Sequence, residues 1–377
     1  MRLTTRGKLK RQKSLIILGS FFMLLFFSVG YAAFSTTIRL NAKGNVYPAP
    51  TYTVNQLKAT ALTEGTVDGL YVDSAEQGRY VFKGGNPNNY LTLNNETWRI
   101  LSIEPDNTLK IIKEESIGTF PFDLGRTSVV SGITENGSDD GTRHSTTSTD
   151  FCYYSSDNFG CKVWGSKDTM RDSNGILLKD TAGGAKIQRI LSNAKTYDLP
   201  EDEAYLNVYL NGGTYAGVAV PGWYNTWAST ISDDVKKYIM VDHSYNVGLV
   251  AETADQLIGT DIAQEKVLTW KGRVGLMSVS EYVRASKNPE CTGVYAYRNN
   301  SECYNDGAAH NYLRKTVHQW TLSPYSLISP NDVWPAKSTN LGYATANSSY
   351  VVHPVLYLSS DVVLKGEGTN DSKYQIK

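Results

Sequence analysis

The pattern of hydrophobic and polar positions divides the chain into a uniformly apolar N-terminal run and a longer part of alternating character. From Leu15 to Ala33 there are 19 residues without a charged side chain. As a helix this run would be about 28 Å long, just enough to cross a bilayer. Because it is apolar on all sides, we predict one N-terminal hydrophobic helix, within a signal peptide (residues 1–33) or a retained membrane anchor.

Short segments with a period of two, separated by turn residues, predict antiparallel strands in a main domain of residues 68–377. Four such segments lie near its start: GRYVF, YLTL, TWRILSI and TLKIIKE, with EPDN as the turn before the last. We expect a meander in which Trp98, Ile100 and Ser102 share one face. Residues 34–67 hold one weak strand pattern and a proline-containing linker, YPAPTY (47–52).

Two segments carry helix signals. DLPEDEAYLNVYLNGG places Pro200 and three acidic residues in an expected first turn, with Gly212 just past the end. In ISDDVKKYIMVDH, Ser232 is the expected N-cap. Strand patterns return near the C-terminus in HPVLYL and DVVLKG. A meander, inserted helices and further strands together predict an α+β domain.

The segment TWKGRVGLMSVSEYVRA (269–285) contains residue types that enzymes use, but their spacing indicates a structural role. Ser278 stands three residues before Glu281, as in a capping box, which gives both side chains a local backbone partner. The glycines do not form a phosphate-binding loop, and neither serine lies in a G-x-S-x-G elbow.

Charge is distributed unevenly along the chain. It has 37 basic and 37 acidic residues, but six of the basic ones and no acid lie before residue 34. The remaining 31 basic against 37 acidic residues give a difference of −6. A protein that binds nucleic acid should show the opposite bias, so we expect no nucleic-acid partner. The basic flank of the apolar run would stay cytoplasmic, which predicts that everything after residue 33 is extracytoplasmic, anchored or secreted.

The four cysteines fit an exported chain. Cys152 and Cys161 are nine residues apart, and Cys291 and Cys303 are twelve apart. Three pairings are open to four cysteines, and proximity favours these two local disulfides. The alternatives are free thiols or a zinc site, but there is no Cys-x-x-Cys, and His310 is the one histidine near a cysteine.

Several long blocks resemble those of a family of uncharacterised exported bacterial proteins, usually described as domains of unknown function. The blocks are DGLYVDSAEQGRYVF with its continuation to IIKEESIG, YLNVYL, TWKGRVGLMSVSEYVRAS, WTLSPYS and HPVLYLSSDVVLKGEGT. The resemblance covers roughly residues 68–377. The family is similar in architecture to the C-type-lectin-like fold, as in the formylglycine-generating enzyme group. It therefore implies antiparallel sheets with a few short helices and long loops.

The resemblance also implies several details. The strand at 79–82 should pair with the last strands, at 351–364, and close the domain. His353 stands where the family commonly has arginine, which removes any role for a guanidinium there. Sugar-binding lectin domains hold calcium through motifs that EPDN (104–107) and NDVW (331–334) do not reproduce, so no calcium site is expected. The formylglycine chemistry uses cysteines with copper, and the expected pairing of all four cysteines excludes it; we expect no cofactor.

Aromatic side chains give the remaining functional signal. Trp98 and Trp270 lie inside strand patterns and are expected in the core. Tryptophans flanked by glycine, asparagine and serine in loop-like segments are typical of ligand-binding surfaces, although they can also fill a core. The candidate ligand-binding residues are Trp223, Trp227, Trp320, Tyr325, Asn331, Asp332 and Trp334. The five histidines are scattered, and no catalytic or metal-binding set is recognisable.

Three functions remain open at this point. The first is a non-catalytic exported surface protein that recognises a glycan, a peptide or an envelope component such as a cell-wall polymer or surface protein, through its loops. The second is a structural surface protein that associates with itself. The third is an envelope enzyme, which a pocket with two acids or a histidine pair would support.

Overall fold

The computed structural model describes most of the chain beyond residue 47. The described residues are 48–124, 129–130, 133–134, 161–166, 168–180, 186–188, 196–198, 203–215, 217–250, 263–300, 303, 309–325, 332–337 and 340–377. The chain divides into residues 1–49 and a compact unit from Pro50 to Lys377. The predicted N-terminal helix lies outside the described residues. Within them, no helix has the length and apolar character needed to cross a membrane.

The described part of the chain is rich in short strands. In chain order they are β1 Thr51–Thr53, β2 Gly69–Val72, β3 Tyr80–Lys83, β4 Tyr90–Leu93, β5 Glu96–Ile103, β6 Leu109–Lys113, β7 Thr119–Pro121, β8 Val129–Val130, β9 Ile133–Thr134, β10 Met170–Arg171, β11 Lys186–Gln188, β12 Thr196–Asp198, β13 Gly213–Tyr215, β14 Val218–Val220, β15 His243–Asn246, β16 Thr269–Gly272, β17 Gln319–Pro324, β18 Asp332–Ala336, β19 Ala344–Thr345, β20 Ser349–Val351, β21 Val355–Leu358, β22 Val363–Lys365 and β23 Tyr374–Ile376.

The helices are short. They are α1 Val54–Lys58, α2 Tyr205–Asn211, α3 Trp223–Ala228, α4 Asp233–Lys236, α5 Val279–Arg284 and α6 Val294–Asn299, with a 3₁₀ turn at Leu178–Asp180 and helical residues at 263–265. Sheets with a few short helices confirm the α+β class.

A nine-stranded sheet organises the compact unit. Its path runs β1-β22-β23-β4-β5-β3-β2, and β6 joins β5 to β21. Three strands of the predicted meander are present as β4, β5 and β6, which pair antiparallel in sequence, whereas β3 pairs with β5 and not with β4. The register of β5 with β6 shifts between Ile100 and Ser102, which interrupts the strict alternation expected for Trp98, Ile100 and Ser102. Strand β5 is buried from Trp98 to Ile103 on both faces, because neighbouring elements cover both sides of it. A second sheet has five strands in the order β19-β18-β17-β20-β7.

The strands that close the domain pair differently from the prediction. Strand β3, at the predicted 79–82 position, pairs with β2 and β5 and not with the last strands. The C-terminal strands instead pair with β6 through β21 and with β1 through β22. Since β1 begins at Thr51, the sheet includes residues of the predicted linker, and the compact unit starts before Asp68.

The two predicted helices form, with shorter bounds. Helix α2 starts at Tyr205, beyond Pro200, and has no acidic residue in its first turn, whereas Gly212 follows its last residue as expected. The backbone at Gly212 has a φ of +83°, which glycine adopts without strain. Helix α4 has Ser232 at the N-cap position, but the serine side chain makes no capping hydrogen bond.

Candidate functional site

The capping box at the start of α5 is present and fixes the orientation of Glu281. The backbone N–H of Glu281 donates to Ser278 Oγ at 3.3 Å, and the N–H of Ser278 donates back to Glu281 Oε2 at 2.8 Å. This confirms the structural role predicted for both side chains. The second carboxylate oxygen, Oε1, points to partners far away in the chain.

Glu281 Oε1 accepts hydrogen bonds from two buried cations. Arg79 Nη2 lies 2.8 Å away and Lys110 Nζ lies 2.7 Å away. Arg79 directly precedes β3 and Lys110 lies in β6, so these two contacts fix α5 against the main sheet. We call the group around these three residues the charged cluster; its members are Asp73, Glu76, Arg79, Glu104, Lys110, Glu281 and Arg284.

Arg79 uses its whole guanidinium inside the cluster. Its Nε donates to Glu104 Oε1 at 3.0 Å, its Nη2 also donates to Ser102 Oγ at 3.0 Å, and its Nη1 lies 3.4 Å from Asp73 Oδ2. Arg284 pairs with Asp73 as well. The side chains of Arg79, Asp73 and Glu281 are all less than one-tenth exposed. Breaking such a buried pair on one side leaves an uncompensated charge, which is strongly destabilising.

The pKa values of the cluster carboxyls follow from this geometry. Burial alone would raise the pKa of Glu281, but Lys110 and Arg79 hold it below its ordinary value. Burial opposes ionisation of Glu104 too, and Arg79 and Lys110 again bring its pKa below the ordinary value. These acids are therefore ionised partners of cations. A general acid at neutral pH would need the opposite shift.

Glu265 lies beside the cluster and does show the opposite shift. Burial raises its pKa, and the Ser280 hydroxyl, which donates to Oε2, only partly opposes that effect. Ser323 Oγ lies 3.5 Å from its other oxygen. Arg284 lowers the pKa and Glu281 raises it. The residue is 1% exposed, so its carboxyl group is closed off from solvent by the serines that hold it.

The free space at the charged cluster is very small. A cavity of about 10 Å³ is lined by Arg79, Glu281, Tyr312 and four apolar residues. That is the room of about one water molecule. The geometry therefore suits a structural water and leaves no room for an organic substrate.

A larger opening lies at the end of the β4–β5 hairpin, and we call it the hairpin groove. Its volume is about 420 Å³, and it is open to solvent. The lining comes from the hairpin, from residues 230–235 before and within α4, and from β23. The lining residues are Thr92, Leu93, Asn94, Asn95, Thr230, Ile231, Ser232, Val235, Gln375 and Ile376, none of which is charged.

The aromatic residues expected to bind a ligand lie mostly in the core. Trp334 is fully buried, Trp320 is 2% exposed and Trp227 is 8% exposed. A buried indole has no surface to offer, so these three rings contribute packing in this structure. The Nε1 of Trp320 donates to Phe120 O at 2.8 Å, and that of Trp227 donates to Glu96 Oε2 at 2.7 Å.

The other members of the predicted set are more varied. Trp223 is half-buried and stacks on Trp227, with ring centroids 5.2 Å apart. Tyr325 is also half-buried and contacts Trp334 and the exposed Tyr343, each at 4.7 Å between centroids. Asp332 is buried, and Asn331 lies outside the described residues. Trp98 and Trp270 are in the core, as predicted.

One of the two predicted disulfides is described in full. Cys291 and Cys303 are bonded, with Cα atoms 5.3 Å apart. Cys161 is also disulfide-bonded, while its predicted partner, Cys152, lies outside the described residues. Among the described residues, no group of three or more His, Cys, Asp or Glu side chains is placed to hold a metal ion. His353 is buried, its Nδ1 lies 3.0 Å from Lys113 O, and burial lowers its pKa to about 4.

The sequence analysis did not predict the hairpin groove, although the turn in one of its walls has a recognisable sequence pattern. Asn94 and Asn95 stand between two alternating segments and have positive φ values of 54° and 59°. Such a pair is typical of a two-residue hairpin turn. The sequence near this turn gives no sign that residues 230–235 and Gln375 lie beside it, because only tertiary contacts place them there.

Comparison of the chain with protein-family models, with curated proteins and with solved structures finds no match.

Proposed function

We propose that the chain is a non-catalytic, exported surface protein that recognises a glycan, a peptide or another envelope component. The observation that supports this most is that no carboxyl group lines the open hairpin groove. Among the described residues, the carboxyl groups of Glu281 and Glu265 are buried, and the cavity beside Glu281 is only about 10 Å³. The hairpin groove, of about 420 Å³, has a lining suited to hydrogen bonding and no charge.

Export is supported by two independent features. Six basic residues are spread over residues 2–13 and precede the uncharged run Leu15–Ala33, the order found in signal segments and signal anchors. The Cys291–Cys303 disulfide is of the kind that persists in oxidising compartments. The proposed location is therefore extracytoplasmic, with the N-terminal segment cleaved or kept as an anchor.

A C-type-lectin-like architecture is the finer part of the proposal. The sequence blocks that resemble that family, the short helices and a main sheet that is antiparallel except for the β23–β4 pair support it. The partners of β3 differ from the closure expected for such a domain. The recognition role does not depend on this assignment, because it rests on the groove and on the enclosed charged cluster.

The proposal is tested with the full chain, purified in folded form and applied to a glycan array and to cell-wall extracts. We expect selective retention on one class of envelope polymer, with the polymer recovered unchanged in length and composition. No retention on any of these surfaces would contradict the recognition role. Cleavage of the retained polymer would contradict the non-catalytic part and favour an envelope enzyme. Concentration-dependent assembly without retention would favour a self-associating structural protein.

A further inference from the structure

We propose that the hairpin groove is the recognition site and that its ligand is a neutral, hydroxyl-rich glycan. This inference rests on the proposed recognition function and adds a place and a ligand class to it. The volume of the hairpin groove, about 420 Å³, lies within the range of about 300–1,000 Å³ typical of small-ligand sites. Four features of the groove support the assignment. They are the paired backbone of its floor, the fixed turn in one wall, the free polar side chains and the uncharged lining.

The floor of the groove is made of sheet whose backbone groups are already paired. Thr92 of β4 and Gln375 of β23 are register partners in a parallel pair. β4 also pairs with β5, and β23 with β22, so neither strand is an edge. An extended peptide that binds by adding a strand needs a free edge. Recognition here must use side chains, which is how hydroxyl groups of sugars are bound.

The turn that forms one wall is held in place. The Asn94 Nδ2 donates to Thr230 Oγ1 at 2.8 Å, which ties the hairpin to the segment before α4. The Thr230 hydroxyl in turn donates to Trp227 O at 2.7 Å. Because both walls are fixed to each other and to a core helix, the groove needs little ordering when a ligand binds. Preorganisation of this kind favours affinity.

The groove offers free polar groups of both kinds. Within the described part of the chain, the side chains of Asn95, Ser232 and Gln375 make no hydrogen bond, and all three are exposed. Carboxamides and hydroxyls both donate and accept, as do the hydroxyls of a sugar. Val235 and Ile376, which are both partly exposed, add apolar surface that fits the C–H faces of sugar rings.

Charge decides between a neutral and an anionic glycan. None of the ten lining residues carries a charge, so an anionic polymer would find no cation to pair with inside the groove. Beside the lining, the exposed Asp233 and Asp234 are matched by the exposed Lys236 and Lys377, so the neighbouring charges add no net attraction for an anion. The groove therefore favours glycans without carboxylate or phosphate groups.

The test uses the full chain and measures the dissociation constant for defined oligosaccharides by calorimetry. The probes are neutral oligomers of hexose or N-acetylhexosamine units, uronic-acid oligomers of the same length, and an uncharged extended peptide. The groove variants are Asn95→Gly, which keeps the positive φ, and Gln375→Ala. Thr214→Ala, at an exposed strand position outside the groove, is the matched control.

We expect a neutral oligomer to bind, the double groove variant to bind it at least about tenfold more weakly, and the control to bind as the parent does. Binding of a neutral oligomer with equal affinity by parent and groove variants would overturn the site and leave the recognition function in place. Binding of only the uronic-acid oligomers or only the peptide would overturn the ligand class. If the folded parent bound none of these probes, the inference would fall, whereas the proposed function would fall only if the chain were also not retained on the glycan array and the cell-wall extracts.

Discussion

The Nη2 atom of Arg79 lies 2.8 Å from Oε1 of Glu281, and 202 positions separate the two residues in the chain. The same carboxylate caps its own helix through Oε2. One side chain thus joins a local backbone motif to a buried ionic contact with the main sheet. This arrangement explains why a segment with enzyme-like residues can be purely structural, and it makes stability the first quantity to measure.

Glu281→Gln should destabilise the protein by about 3–5 kcal/mol at neutral pH, because Arg79 and Lys110 would lose a buried anionic partner. Glutamine can still complete a capping box, so the change isolates the charge from the cap. Denaturant-induced unfolding measures the difference. Asp168→Asn is the matched control, since Asp168 pairs with Lys179 at a site where both side chains are about half exposed. We expect that control to stay within about 1 kcal/mol of the parent. Equal effects of the two substitutions would show that the cluster contributes no more than a surface pair.

The cost of Glu281→Gln should shrink in acid. Burial raises the pKa of Glu281, but Lys110 and Arg79 outweigh it and the pKa falls below the ordinary value of 4.5. A carboxyl with a lowered pKa stabilises the fold above its unfolded pKa and loses that contribution as pH falls through its folded pKa. Unfolding curves of parent and variant should therefore converge as the pH is lowered below about 4.5. A difference that stays constant or grows in acid would contradict the ion pairing.

Glu265→Gln should have the opposite pH dependence. Burial raises the pKa of Glu265 above the ordinary 4.5. A carboxyl with a raised pKa favours the fold while it is protonated, and this advantage is lost as pH rises through its folded pKa. The variant should therefore gain stability relative to the parent as pH rises from about 4.5 towards neutrality, and then level off. The same unfolding series measures it, and a gain that appears only in acid would be inconsistent with the raised pKa.

Removal of the Cys291–Cys303 bond should cost about 2–3 kcal/mol, the chain-entropy value for a loop of this length. Both cysteines are buried, and 12 positions separate them. Replacing both by serine removes this bond alone and leaves any other disulfide in place. The check is the denaturant midpoint of the double variant under non-reducing conditions. An unchanged midpoint would mean that the bond does not constrain the unfolded chain.

Two glycines with similar positive φ values should respond differently to alanine. A Cβ on Gly222 would lie 2.4 Å from the backbone N of Gly212, whereas a Cβ on Gly217 would meet nothing within 4 Å. Gly217→Ala should cost only the backbone strain, about 1–2 kcal/mol. Gly222→Ala should cost about 1–3 kcal/mol more, because two backbone segments must move apart. Melting temperatures compare the two directly, and equal losses would contradict the close approach of the chain at Gly212.

Local signals in the sequence predicted local structure well. The Ser278–Glu281 cap, the EPDN turn, Gly212 after α2 and the Cys291–Cys303 bond each depend on residues a few positions apart. Their geometry is set by backbone chemistry that a short window contains. The prediction of an acidic first turn after Pro200 was wrong, because α2 begins only at Tyr205.

Features that depend on tertiary contact were not predictable in the same way. The Arg79–Glu281 pair has no local signal. Trp320 and Trp334 lie in segments that resemble binding loops, yet the second sheet buries them in β17 and β18. The hairpin groove combines parts of the chain from residue 92 to residue 376, and only its asparagine turn has a recognisable sequence pattern.

The separation of a stabilising charged cluster from a ligand-binding groove is tested most directly by one paired measurement on Glu281→Gln and Gln375→Ala. For each variant, the free energy of unfolding and the dissociation constant for the best-retained neutral glycan are determined in the same buffer. Glu281→Gln should lose stability while its folded molecules keep the parent's affinity, and Gln375→Ala should lose affinity at unchanged stability. If Glu281→Gln instead abolished binding without altering the free energy of unfolding, the charged cluster would be the functional site.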